Sequence, residues 1–496
     1  MLLLSIFYLL SFILLAWRNF RLAVILFIIF LPAYLIRVDI GFVGRYRLPT
    51  TFLEIAFGVI FLVWLARFAR RDIKTIRQAI KRHKIFFVSF LLFFLSSIIS
   101  IFVSDMRWFS LGEWRAYFLE PMILFLILVG RSSSPPYQGG VRGGLPSIAA
   151  NTSATPSALP LGKGEITAVQ ISSRDLIWAL AFSTLSISTY SIIQKFTGWG
   201  IATPQWSGEA IRRVTAFFSS PNAVGLYLAP VVMLLVIPLL LRGGQGGVAE
   251  VKTLQLSSAT PPSPPLGKRR MIYALLATLF ILSILAIIFT KSQGAWIGLA
   301  VGVLVFLFFV GYKKIAVAVA ILGIIFSLLI PSMRQAVLFQ DQANQNRLRL
   351  WGYTWTFLSK SPKNFILGAG VRQFFRKVQK PYYDKIVMER LIYPHNIFLN
   401  FWMEIGLFGM FAVITMLGYV FYLANKIRKN YKLIGAGLMG ALTILGAHGL
   451  VDVPYFKNDL AFLFWIIILI PLLWYDTILS AAHTSQPSSQ EGIQRL

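Results

Sequence analysis

Apolar residues run in thirteen blocks along the chain, at 2–16, 22–36, 51–67, 85–104, 116–130, 175–195, 223–241, 271–290, 295–311, 314–330, 402–424, 432–450 and 459–477. Blocks of this length, coiled at about 1.5 Å per residue, match a hydrocarbon layer about 30 Å thick. They predict an all-α polytopic membrane protein with twelve to thirteen transmembrane helices, the short first block being the one that need not cross fully. That block has no basic leader and no small-residue cleavage site, so it reads as a span and not as a signal peptide.

Charge sets the expected orientation. Arg67, Arg70, Arg71, Lys74, Arg77, Lys81, Arg82 and Lys84 crowd one short connection in which Asp72 is the only acid. Short loops rich in Lys and Arg stay in the cytoplasm. Counting spans from this loop puts Arg18 and Arg21, Lys313 and Lys314, and Lys426, Arg428, Lys429 and Lys432 on the same inner side. The same count gathers the loops at 196–222, 331–401 and 451–458 on the outer face, with the C-terminus inside.

The chain therefore divides into N-terminal helices (1–130), an inner insert (131–174), helices with an arginine-bearing outer loop (175–241), a second insert (242–270), helices (271–330), a long outer loop (331–401), C-terminal helices (402–478) and an inner tail (479–496). Both inserts are rich in Pro, Gly and Ser and share a pattern, Leu161-Gly162-Lys163 in one and Leu266-Gly267-Lys268 in the other. Such composition cannot bury a core, so both are expected to be disordered additions tolerated away from any site.

Composition narrows the chemistry. Of 496 residues, 57% are hydrophobic and 13% charged, and there is no cysteine, which excludes disulfides and thiolate catalysis. His83, His395, His448 and His483 show no metal-ligand spacing, and no outer loop carries paired carboxylates, so no metal and no cofactor are expected. No P-loop is present, so energy must come from the substrate or a gradient, and no nucleic-acid partner is expected. The outer loop at 331–396 carries eleven Lys and Arg against three acids. A loop of that length escapes the orientation rule, so its basicity points to an anionic ligand outside the membrane, with lipid headgroups as the competing cause. Within it Leu348, Trp351, Trp355 and Leu358 recur at helical spacing, the pattern of an amphipathic helix on the membrane surface.

Residues that could carry chemistry cluster on the outer side. Asn396, Asn400 and Glu404 are spaced by four and drift only about 40° per step on a helix, forming a polar stripe that must face protein or water. Asn396 is placed to cap that helix, and His395 just before it sits where a neutral imidazole accepts a proton near pH 7. Gly406 and Gly409 suit close approach of a neighbouring helix. His448 and Asp452, also four apart, share a face and could hydrogen-bond, with Asp452 as an orienting group. Arg212 and Arg213, with Arg347 and Arg349, give two arginine pairs on one membrane face, suited to bidentate phosphate binding. Lys291, in a tight outer turn, either joins that anion site or reaches to the membrane surface.

These residues resemble the signatures of the O-antigen ligase and polymerase superfamily, lipid-linked glycan transferases of bacterial envelopes. The likeness rests on Arg213-x-Thr215 followed by Ser220-Pro221-Asn222-Ala223, on Lys291-Ser292-Gln293-Gly294-Ala295-Trp296, and on Arg347 to Trp351 with Leu367-Gly368-Ala369-Gly370. It rests further on His395-Asn396 leading to Glu404-x-Gly406-x-x-Gly409, and on His448 to Asp452, spanning most of the chain from about Ser173 to Pro471. Lys291 departs from the arginine or serine such proteins often carry there. The resemblance implies a metal-independent, GT-C-like glycosyltransferase of the inner membrane that moves a glycan from undecaprenyl diphosphate, on the periplasmic face, to a lipid or glycan acceptor. Arg213 and Arg347, with Arg212, Arg349 and Lys291 in support, would hold the diphosphate. His395 would act on the acceptor hydroxyl, while Glu404, Asn396, Asn400, His448 and Asp452 support the site. The superfamily's association with inorganic carbon accumulation leaves an anion transporter as the alternative. That alternative calls for mid-membrane polar residues on broken helices in two related halves.

Overall fold

The computed structural model describes residues 2–32, 37–43, 46–132, 170–240, 266–383 and 390–484. Both Pro/Gly-rich inserts fall almost wholly outside the described residues, as does the end of the C-terminal tail.

Twenty α-helices follow one another: α1 (Leu2–Arg18), α2 (Phe20–Ile29), α3 (Phe52–Arg67), α4 (Ala69–Arg82), α5 (Lys84–Val103), α6 (Arg107–Trp114), α7 (Glu120–Gly130), α8 (Ser173–Thr197), α9 (Pro204–Ser207), α10 (Pro221–Leu240), α11 (Leu266–Thr290), α12 (Gln293–Val310), α13 (Lys313–Leu329), α14 (Pro331–Val337), α15 (Gln342–Ser359), α16 (Pro362–Leu367), α17 (Lys380–Tyr383), α18 (Ile397–Asn430), α19 (Lys432–Gly449) and α20 (Asn458–Thr484). A π-helical turn, Arg115–Leu119, joins α6 to α7. A two-stranded antiparallel hairpin, β1 (Arg37–Val43) with β2 (Tyr46–Thr51), precedes α3 and was not foreseen. Among the described residues each of the thirteen apolar blocks lies at least in part on a helix. Among the described residues eight helices are long and apolar enough to cross a membrane, or up to ten if two bent pairs each count as one span. The blocks at 2–16, 22–36 and 116–130 form the shorter pieces, which is where the count departs from twelve to thirteen.

The fold is an all-α polytopic membrane protein, and its surface says so. On α13 Ile315, Val317, Ile321, Leu322, Ile324 and Phe326 are all exposed, which water would not tolerate but acyl chains do. Its interior is built on α20, whose residues from Leu460 to Ile470 are buried all round, and on α19, which packs against α10, α12 and α18. The α12–α19 contact depends on small residues, since a Cβ on Gly302 would collide with Ile444 and with the Gly440 carbonyl.

Two breaks shape the site. α18 is interrupted at Gly406 (φ 82°, ψ 174°), which divides a short segment, Ile397–Ile405, from the long remainder. The Met403 carbonyl freed by this break accepts from the Ala369 amide at 2.7 Å. Gly368 and Gly370, both with positive φ, let the 366–372 loop lie against Trp402 and Met403 on one side and Ser100 and Ser104 on the other. Gly406 lets the backbone at the end of α16 approach, as expected of it, since a Cβ there would stand 2.5 Å from the Ile366 carbonyl oxygen. The second break is the 96° turn between α3 and α4, which makes a helix of the basic connection.

The long loop at 331–401 holds the expected helix, α15, but its stripes differ from those expected. Leu348 and Trp355 are exposed, Leu358 is fully buried, and the Trp351 indole donates to the Pro394 carbonyl at 3.0 Å. The buried side is Asn344, Leu350, Thr354 and Leu358.

Candidate active site at one end of the bundle

The loops at 196–222, 331–401 and 451–458 meet on one face of the bundle, and 450–452 is the segment on which they converge. Its three consecutive residues are each gripped from elsewhere. Asn396 Nδ2 donates to the Leu450 carbonyl at 3.0 Å, and Arg347 Nε donates to the Val451 carbonyl at 3.0 Å. The Asp452 carboxylate takes His395 Nδ1 on Oδ1 at 3.2 Å and Asn222 Nδ2 on Oδ2 at 2.9 Å. Asn222 in turn accepts from Arg213 Nη2 at 3.3 Å, so a continuous polar chain runs His395–Asp452–Asn222–Arg213.

Local structure explains how each group is aimed. The Asn396 side chain accepts from the Phe398 and Leu399 amides at 3.0 Å each, capping α18 as expected. His395 precedes the cap with φ +54°, a left-handed conformation that costs about 1–3 kcal/mol for a non-glycine residue and persists only where the surroundings impose it. Here Trp351 holds the Pro394 carbonyl, and the Tyr393 ring packs edge-on to the imidazole, centroids 5.0 Å apart. Lys291 (φ +51°) and Ala216 (φ +47°) share this strained geometry in the neighbouring loops.

Arg213 donates from Nε to the Thr290 carbonyl at 2.9 Å and from Nη2 to the Lys291 carbonyl at 3.4 Å. Its loop is clamped by Gln194, a residue the sequence reading missed. The Gln194 Oε1 accepts from the Thr215 and Ala216 amides at 2.9 and 2.8 Å, while Nε2 donates back to the Ala216 carbonyl at 3.1 Å. A lone glutamine inside an apolar span was the available signal. Arg347 also donates to Asn344 Oδ1 at 2.6 Å. Among the described residues neither Arg213 nor Arg347 pairs with a carboxylate. Burial, and then the charge of Arg347, holds the Arg213 guanidinium below its ordinary pKa. The positive charge of Arg347 thus works against that of Arg213.

Asp452 is the electrostatic counterpart. Burial disfavours its ionised form, but the hydrogen bond and charge of His395 outweigh that, helped by His448 and by the Val453 amide. Its carboxyl is therefore held well below the usual carboxylate range. Lys457, also missed, lies in the same loop near Asp452 and Asp459, with burial pulling its pKa down.

Other expected members lie apart. Arg212 turns from Arg213 and donates to the Ser207, Lys195 and Phe196 carbonyls, capping the end of α8. Arg349 is exposed, about 200° round α15 from Arg347, so that pair cannot act as one fork. Lys291 Nζ reaches the Ala210 carbonyl at 3.4 Å, beside the Arg213 loop. His448 does not bond Asp452 through its ring. It is buried against Gly225, Gly294 and Gly298 with neither nitrogen partnered among the described residues, and only its backbone carbonyl accepts from Asp452. Asn400 and Glu404 face protein, as the stripe required. The Asn400 amide has no partner among the described residues, and Glu404 accepts from the Arg372 amide at 2.8 Å, holding the 366–372 loop. Glu404 lies eight residues past the Asn396 cap, about 12 Å along the helix from it.

Chemically, the face offers an imidazole held through Nδ1 by the Asp452 carboxylate, beside two guanidinium groups that have no carboxylate partner among the described residues. No curated protein matches the chain. Residues 278–414 match the family described as O-Antigen ligase, a span that includes Lys291, Arg347, Arg349, His395, Asn396, Asn400 and Glu404. That match makes residues 278–414 of this multi-pass membrane protein similar to the O-Antigen ligase family, over less than a third of the chain.

Proposed function

We propose that the protein transfers a glycan from undecaprenyl diphosphate to an acceptor hydroxyl on the periplasmic face of the bacterial inner membrane, without a divalent metal. The observation that carries this reading is the pair Arg213 and Arg347, whose charges oppose each other and lack a carboxylate partner. A diphosphate relieves that repulsion, and its charge grows as the sugar–phosphate bond breaks, which is when guanidinium donors stabilise it most. The family match supports a membrane glycosyltransferase in general terms.

In this reading His395 donates through Nδ1 to Asp452, which leaves Nε2 to take the proton of the acceptor hydroxyl. The acceptor oxygen attacks the anomeric carbon, the bond from that carbon to the phosphate oxygen breaks, and undecaprenyl diphosphate departs with the electron pair. Asn222 ties the two halves of the site by bonding both Asp452 and Arg213. Lys291 adds positive charge at the rim, while Asn396 and Glu404 hold the segments that present His395 and the 366–372 loop.

A transporter requires a broken helix that opens to its cargo. The break at Gly406 instead supplies a carbonyl to Ala369, a residue of this chain, which favours the enzyme. The test is transfer by the purified chain from undecaprenyl diphosphate glycan, with a chelator present, followed by the configuration of the product. A single displacement inverts the anomeric centre. A retained configuration, or activity lost to the chelator, contradicts this reading.

A further inference from the structure

The face opposite His395 carries a second built surface. α3 begins beside the site, where Glu54 accepts from Asn458 Nδ2 at 3.0 Å, and after crossing it turns through 96° into α4. α4 therefore lies along the far end of the bundle. Its one acid, Asp72, points inward: it accepts from Trp64 Nε1 at 2.9 Å and pairs with Arg131 at 3.5 Å. Gly130 permits that docking, since a Cβ there would stand 2.7 Å from the Asp72 Cβ.

With its acid hidden, every charged residue on the exposed side of α4 is cationic. Arg70, Arg71, Lys74, Arg77 and Lys81 are exposed, and none forms an ion pair among the described residues. At about 100° per residue, Arg70, Lys74, Arg77 and Lys81 fall within about 60° of one another. Ile73 and Ile80, each 41% exposed, lie within about 20° of each other on the flank between this sector and the buried side. Going round the helix, one meets a protein-packed face, an apolar edge and a row of cations. That order suits a helix lying at a bilayer surface, with isoleucines among acyl chains and cations at headgroup depth.

We propose that α4 is a docking surface for anionic phospholipid headgroups of the leaflet opposite the candidate active site. The lipid phosphates sit against Arg70, Lys74, Arg77 and Lys81, and Ile73 and Ile80 fix the helix depth. This surface is independent of the transfer reaction.

The test uses the full chain in detergent, titrated with phosphatidylglycerol or phosphatidylcholine and read by native mass spectrometry. Phosphatidylglycerol is expected to bind at least about fivefold more tightly, and joint replacement of the four cations by Gln to reduce that preference below about twofold. Equal binding of the two lipids, or a preference that survives the replacements, overturns the proposal. Because the chain has no cysteine, a spin label on Ile73→Cys or Ile80→Cys reports depth without background. In vesicles each label is expected to be reached by lipid-soluble oxygen and shielded from a water-soluble nickel chelate. The reverse pattern contradicts the placement of α4.

Discussion

His395 and Asp452, 57 positions apart, meet through Nδ1 and Oδ1 at 3.2 Å, and the second Asp452 oxygen is held by Asn222 at 2.9 Å. The carboxylate is anchored at both oxygens, so the imidazole it orients has one free nitrogen and one direction in which to use it. Asp452→Asn removes the charge and leaves the shape. Transfer is expected to fall about 100-fold or more, while the amount of folded protein stays at the wild-type level. Kinetics of the purified variant check this, and an unchanged rate removes Asp452 from the mechanism.

Asp452 also fixes a pH dependence. A carboxyl held below its ordinary value contributes stability that is fully present above the unfolded value, about pH 3.9, and is lost only as pH falls through the folded one. The difference in apparent unfolding temperature between wild type and Asp452→Asn is therefore expected to stay constant from pH 7 to pH 5. A difference that shrinks within that window means that Asp452 titrates there and is not held as described.

The arginines separate into two kinds. The charges of Arg213 and Arg347 act on each other, whereas Arg212 caps α8 and Arg349 is exposed. Lysine keeps a charge but not the planar fork, so Arg213→Lys is expected to retain less than about a tenth of the activity. Arg349→Ala is expected to stay within about twofold of wild type. Initial rates on the same donor decide both, and the opposite ranking would mean that the diphosphate lies elsewhere.

The apolar helices and the meeting of the loops at 196–222, 331–401 and 451–458 at one end of the bundle were legible because hydropathy and charge act along the chain itself. The partners of each side chain were not. Neighbouring arginines in Arg212-Arg213 point opposite ways from an extended loop, and Arg347 and Arg349 lie on opposite sides of a helix, so adjacency in sequence misled. Glu404 was legible as a member of the polar stripe, but not that the break at Gly406 brings the 366–372 loop to it, where it accepts from the Arg372 amide. Gln194 and Asn222 matter through contacts 21 to 230 positions away, a separation that no local pattern encodes.

Gln194 provides a test of positioning. Gln194→Ala leaves the buried amides of Thr215 and Ala216 without their acceptor, a cost of about 1–3 kcal/mol. A lower apparent unfolding temperature and slower transfer are expected together. Gln194→Glu, which keeps the acceptor oxygen, should recover part of both, and failure of any variant to differ from wild type contradicts the clamp.

The most direct measurement is single-turnover transfer by purified protein from an undecaprenyl diphosphate glycan, comparing wild type with His395→Ala and Arg213→Ala. The account predicts that each substitution slows transfer by at least about tenfold, about 1.4 kcal/mol of barrier. Transfer within tenfold of wild type in both variants would contradict it.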